Sequence, residues 1–355
     1  MKLNNRNLIA ESFKDFTQEN VTENNNAITV PAGYIEIQLS TKGKVGAPEK
    51  FHIRNFKVGE LVTLALSSTE ELPRRLISTL NDMILEDDID VGNFHDKEVE
   101  ELMIYIYTNF YKSVLDDMVF PINEEDIKYL ESTDKGKSQL EDIRSKKWTP
   151  RTTVNLIQDV DLYEVPEDFN PNITITDKKT GFYVTFGYIK YSDKLTVKNW
   201  LDSYFREEEI RFRKIQNQIS LNNSNPTNKI QLDPEEEKAY YQYISERLET
   251  LSEVSRIISV INYNGIDITD MPLGEKYELL SKEARIDYGM INKLTERQNK
   301  VPFGIKPMVR MMNPFTSQIC ERRVSFRIPL IIQAMQVSGY DRYDDGYDDE
   351  DIDNL

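Results

Sequence analysis

Leucine and isoleucine recur every fourth position at Leu72, Leu76, Leu80 and Ile84, and a second one-sided pattern follows at Val99, Leu102, Met103, Ile106, Tyr107 and Phe110. Spacings of three and four put these side chains on one face of an α-helix, which then has to bury that face. Just upstream, Phe51-His52-Ile53-Arg54-Asn55-Phe56 reads as an extended segment and runs straight into the helical period of Val58–Leu66. The stretch from Phe51 to Leu130 therefore predicts a strand and several helices around one core, and it constrains the fold more than any other part of the chain. It contains no arrangement that does chemistry. The class expected for the whole is α+β: small sheet elements with packed helices, a β-hairpin region and a long antiparallel helical hairpin.

Taken in order, residues 1–30 are rich in Asn, Glu and Thr and read as an N-terminal arm that cannot make a core alone. A first α+β domain is expected over 31–135, opened by the alternating Tyr34-Ile35-Glu36-Ile37-Gln38-Leu39. The polar run from Lys135 to Pro150 predicts a linker over 136–152. A second α+β domain follows over 153–335. In it, Ile173-Thr174-Ile175 and Phe182–Tyr188 flank a glycine-containing turn and predict a β-hairpin. Val197, Trp200, Leu201, Tyr204, Phe205, Phe212, Ile215 and Ile219 then line one helix. Asp233 followed by Pro234 starts another, with Asp233 as cap and Pro234 where its missing amide costs nothing. The two form the helical hairpin, residues 196–261. Strand-like Val324–Ile328 and apolar Leu330–Ile332 end the folded part, and 336–355 is an acidic tail.

At 355 residues, two domains are the expectation. The net charge of −17 repels a phosphate backbone, so nucleic acid is not an expected partner. The single cysteine, Cys320, excludes an internal disulfide and a cysteine-rich zinc site. No run approaches the roughly 20 apolar residues of a membrane span.

Candidate chemistry is sparse. His52 and His95 lack surrounding ligands at metal spacing, and Cys320 would need a base and a depressed pKa to act as a nucleophile. Lys135-Gly136-Lys137-Ser138 lacks the first glycine and the leading strand of a phosphate loop. Asp341–Asp353 fails as a calcium loop, because Ile352 stands where a bidentate carboxylate is required. No catalytic, cofactor or metal residue is expected. Partner-binding candidates are Tyr240, Tyr241 and Leu248 on the helical hairpin, and Arg310, Met311, Met312, Phe315, Arg322 and Arg323 near the end of the folded part. Aromatic, Met and Arg side chains suit protein interfaces. For the arginines, pairing within the chain is the equal alternative.

The run Ile35–Gly43 followed by Ile53–Leu64, then Arg74–Leu80 and an Asp96–Phe110 helix, resembles the T4-like baseplate hub and hub-assembly proteins of contractile-tailed bacteriophages. In that family a Ser/Lys-Gly turn precedes a strand of the form Ile-Arg-x-Phe/Met-x-Val-x-Glu that leads into helices. Ser40, Lys42, Gly43, Ile53, Arg54, Phe56, Val58 and Glu60 match, while Gly59 departs from a usually charged position. The resemblance covers residues 31–190. It implies a non-enzymatic baseplate component at the hub or the hub–wedge junction, assembled in the host cytoplasm and then part of the virion tail. Its partners would be other tail proteins, the tape-measure protein among the candidates. A transient assembly chaperone, a non-phage adaptor and a hydrolytic enzyme with an unrecognised site are the alternatives.

Overall fold

The computed structural model describes residues 30–224, 233–281, 293–294 and 303–344. The expected arm, apart from Val30, and tail residues 345–355 lie outside the described residues. The fold is α+β, with small antiparallel sheets, packed helices and a helical hairpin. It divides into two compact units: Met1–Val91, Asp96–Glu167 and Pro302–Leu355 form unit 1, and Gly92–His95 with Asp168–Val301 form unit 2.

In unit 1, β1 (Tyr34–Ile37) and β2 (Phe51–Arg54) pair antiparallel, with Ile35 opposite Ile53. Helices α1 (Val58–Ala65) and α2 (Leu72–Met83) follow; Leu72, Leu76, Leu80 and Met83 are the buried positions of α2. The centre is α3 (Asp96–Phe110), whose Val99, Leu102, Met103 and Ile106 are fully buried. Its Tyr107 hydroxyl donates to the Val114 carbonyl at 3.0 Å. That bond ties α3 to β3 (Val114–Val119), which pairs antiparallel with β4 (Arg151–Asn155).

The polar 136–152 segment is not a linker-like stretch here. It is most of α5 (Asp134–Arg144) and the start of β4, entered through α4 (Glu124–Glu131). Only Gly136 and Leu140 are buried in α5, so the helix carries little apolar signal. Gly136 is there for a close approach: a Cβ on it would lie 2.2 Å from the Leu130 carbonyl oxygen of α4. Asn123 caps α4 as expected, its side chain accepting from the Asp126 amide.

The chain returns to unit 1 as β9 (Met308–Met312), β10 (Ile319–Arg323) and α10 (Ile328–Asp344). The strand-like reading of Val324–Ile328 is therefore corrected. Both strands of the hairpin lie upstream, Val324–Arg327 is outside regular structure, and Ile328 starts a helix that runs past position 336. Ile331, Ile332 and Met335 of this helix are buried.

Unit 2 holds β5 (Ile173–Thr176), β6 (Tyr183–Phe186), α6 (Asp193–Tyr204), α7 (Arg206–Ser224), α8 (Pro234–Ile257), β7 (Val260–Tyr263), β8 (Ile266–Asp267) and α9 (Leu273–Ser281). The four strands form an antiparallel sheet in chain order, and β5–β6 is the expected hairpin. Its turn closes with the Gly181 amide on the Asp177 carbonyl, at a φ of +74° that favours glycine. The expected helix from Val197 to Ile219 is interrupted at Phe205, between α6 and α7. The α7–α8 pair is antiparallel: Phe212 meets both Tyr243 and Tyr240, and Phe205 meets Tyr243. Arg247 of α8 fastens the arrangement, donating to Asp202 on α6, to Glu209 on α7 and to the Tyr243 hydroxyl.

Candidate interaction surface

The residues that carry the family resemblance lie in the turn after β1 and from β2 to the start of α1, all in unit 1. Between β1 and β2 the chain turns through Lys42 and Gly43, both with positive φ (49° and 77°). Two buried acids on α3 hold this turn. Glu98 accepts from the Thr41 hydroxyl (2.6 Å) and from the Gly46 and Ala47 amides (3.1 and 3.2 Å). Glu101 accepts from the Ser40 amide (2.7 Å) and hydroxyl (2.6 Å), and Ser40 Oγ in turn accepts from the Gly304 amide. Burial pushes the Glu101 carboxyl up to about 7, against the opposing pull of the Ser40 hydrogen bonds.

Downstream, Arg54 makes a two-pronged pair with Glu60 (3.0 and 2.7 Å), and Glu60 also accepts from the Lys57 amide at the start of α1. Burial works to raise the Glu60 carboxyl, but these bonds outweigh it and hold it below the usual range. Gly59, the departure from the family pattern, faces open space, so the missing side chain loses no contact.

Glu98 and Glu101 were not among the expected functional residues. Their signal was present: two acids three apart, Glu98 and Glu101, set among the apolar positions Val99, Leu102 and Met103 of one helix.

A small cavity beside Glu101 is lined by Ile104, Tyr105, Leu156, Val160 and Ile305, and offers about 30 Å³ to a water-sized molecule. Substrate pockets run to roughly 300 Å³ and more, so this one accommodates a couple of waters and no metabolite.

The groups considered for chemistry are otherwise engaged. His52 Nδ1 lies 2.7 Å from Glu86 Oε1, with the His52 amide donating to the same carboxylate. His95 belongs to unit 2, where its backbone bridges Lys190. Burial raises the Cys320 thiol despite the lowering effect of Arg322, which keeps it protonated, and its Sγ rests 3.6 Å from the Met311 carbonyl. Among the described residues no group of three His, Cys, Asp or Glu is placed to hold a metal ion, and no helix is long and apolar enough to cross a membrane.

The partner-binding candidates separate by strand alternation. In β9 and β10, Met308, Arg310 and Met312 share one face with Arg323, Glu321 and Ile319 directly opposite. This is the outer face: Ile319 is 74% exposed, Met312 49% and Met308 46%. Val309, Met311, Cys320 and Arg322 take the other face. Met311 is buried there, and Arg322 grips the buried Asp126 through two contacts of 3.0 Å while lying over the Phe120 ring. Asn313 adds a 2.7 Å bond to the same carboxylate. Phe315 packs edge-on against Phe120 and Trp148. For Arg322, the intramolecular alternative is the one realised.

On the helical hairpin, Tyr240 belongs to the aromatic cluster with Phe212 and Tyr243. Tyr241 and Leu248 are exposed on α8, seven residues apart and hence nearly aligned, with Leu251 beside them. Sequence reasoning missed Ile319, Met308 and Leu251 as exposed apolar positions, because which face of an element is covered is not written in its own residues.

No protein-family model matches this chain, and neither a curated protein nor a solved structure matches it significantly.

Proposed function

We propose that the chain is a structural component of a contractile-phage tail baseplate, at the hub or the hub–wedge junction, which binds other tail proteins during assembly and catalyses nothing. One observation carries this reading. The eight positions matching the family pattern lie within the contiguous stretch Ser40–Glu60, where the turn through Lys42–Gly43 is held on α3 through Ser40 and Thr41 and, separately, Arg54 and Glu60 clamp the entry to α1. The exposed apolar residues of β9–β10 and α8 are further support, since large apolar side chains left in water mark contact surfaces.

The test is the native complex from the natural source, with its mass and its members identified. Isolation at a fixed ratio with tail proteins, the tape-measure protein included, in intact particles is the expected result. Association only with unfinished assemblies would make the chain a transient assembly chaperone. A lone monomer would sink the proposal.

A further inference from the structure

Strand β10 is the free edge of its two-stranded sheet. The Asn313 amide bonds the Gln318 carbonyl and the Val324 amide bonds the Pro307 carbonyl. Antiparallel alternation then directs the backbone groups of 320 and 322 at β9 and those of 319, 321 and 323 outward. Among the described residues, none of the 319, 321 and 323 amides meets an acceptor. The opposite edge, on β9, is covered: the Arg310 amide donates to Asp159 and the Met312 carbonyl accepts from Thr152.

Among the described residues of unit 1, the same strand also presents the most exposed large apolar side chain apart from Leu66: Ile319, paired across the hairpin with Met312. Natural proteins blunt free edges with charge, bulges or a covering element; β10 sets Glu321 and Arg323 on its outer face and its Glu321 carbonyl accepts from Arg322, yet its 319, 321 and 323 amides stay open beside the exposed Ile319 and Met312. The edge strand β5 of unit 2 turns Thr174 and Thr176 outward instead.

Charge selects the occupant. In a chain of net charge −17, the stretch from Lys306 to Arg327 carries Lys306, Arg310, Arg323 and Arg327 against Glu321, with Arg322 already paired with Asp126. A second copy pairing β10 with β10 about its centre would set Glu321 opposite Glu321, which is unfavourable, and would bring together two strongly acidic molecules.

We propose that the outer edge of β10 receives an extended acidic segment of a different protein as an added strand. The 319, 321 and 323 amides donate to its backbone, its apolar side chains cover Ile319 and Met312, and its carboxylates meet Arg323 and Arg310. Main-chain bonds supply the affinity of such an addition, and alternate side chains supply its specificity. The inference deepens the assembly reading and rests on it for the kind of partner.

Residue-resolved amide exchange on the full chain tests it, with a synthetic heptapeptide at millimolar concentration as the probe, one face of which carries isoleucine at one end and aspartate at the other while the opposite face carries threonine. Exchange at 319, 321 and 323 should slow by about tenfold or more, with 320 and 322 already protected by β9. Replacing aspartate by lysine in the peptide should weaken the effect, and methylating its alternate amide nitrogens should abolish it. Ile319→Lys should remove the slowing while 320 and 322 stay protected, which shows that the hairpin still forms.

Three results overturn the proposal. One is no slowing by the acidic peptide, or equal slowing by the lysine peptide. Another is protection that grows with protein concentration alone, which assigns the edge to a second copy. The last is protection in the free chain that vanishes when residues 345–355 are removed, which assigns the edge to the chain's own tail. Incorporation into tail particles is read separately. A chain found in baseplates whose edge binds nothing refutes only this inference, and a peptide-binding chain absent from them refutes only the assembly reading.

Discussion

Glu101 ties the conformation of the Ser40 turn to pH. Its carboxyl titrates at about 7 in the fold, against an ordinary value of 4.5, because it is buried beside Glu98. A carboxyl whose pKa is raised on folding contributes most below its unfolded value, and that contribution is lost as the pH climbs through the folded one. Stability should therefore fall between about pH 4.5 and 7, by roughly 3 kcal/mol from this group. Glu101→Gln should match the parent at pH 5 and exceed it at pH 8 in urea midpoint; parallel pH dependences in the two proteins would rule the account out. Gly136 makes the opposite kind of demand, for space. Alanine is the better helix former by about 1 kcal/mol. Yet its Cβ would collide with the Leu130 carbonyl, so Gly136→Ala should lower stability by about 1–3 kcal/mol, read as a drop in Tm.

At the scale of elements, α6, α7 and α8 depend on one guanidinium. Arg247 is three-quarters buried and serves Asp202, Glu209 and Tyr243 together, and these bonds hold its proton all the more tightly. Arg247→Met keeps the stem's packing and removes the charge. The loss should be about 2 kcal/mol, the scale of hydrogen bonds to charged groups, with α7 and α8 amides exchanging faster. If it costs nothing, aromatic packing alone holds the hairpin. Elements were also where the residues read most clearly. The buried positions of α2 and α3, the Asn123 and Asp233 caps and the β5–β6 turn follow from spacing and local hydrogen bonding, which neighbouring residues suffice to determine. Helix α5 and hairpin β9–β10 did not read clearly. The first buries two positions only, and the second carries Met308, Met312 and Ile319 on its outer face and Arg322 on its inner one, so its inner face is disguised.

For the whole molecule, unit 1 is discontinuous: its core closes only when the chain returns from unit 2. Phe303, Val309, Met311, Phe326, Ile331, Ile332 and Met335, all buried, arrive with that return. Ending the chain at residue 301 should therefore abolish the cooperative unfolding transition of unit 1. The amides of α6–α8 and the four-stranded sheet should stay protected, since their core is drawn from unit 2 alone. Equal protection of α3 in the shortened chain would contradict this. By itself the sequence determined the α+β class, the amphipathic helices, the caps and the tight turns, because each is set by contacts within a few residues. Only the tertiary structure decided where the units divide, that Glu98 and Glu101 are buried anchors, that Arg322 faces inward to Asp126 while Arg323 faces out, and that β10 keeps an open edge. Those outcomes depend on which surface is covered by residues far away in the chain, and no local pattern encodes a distant neighbour.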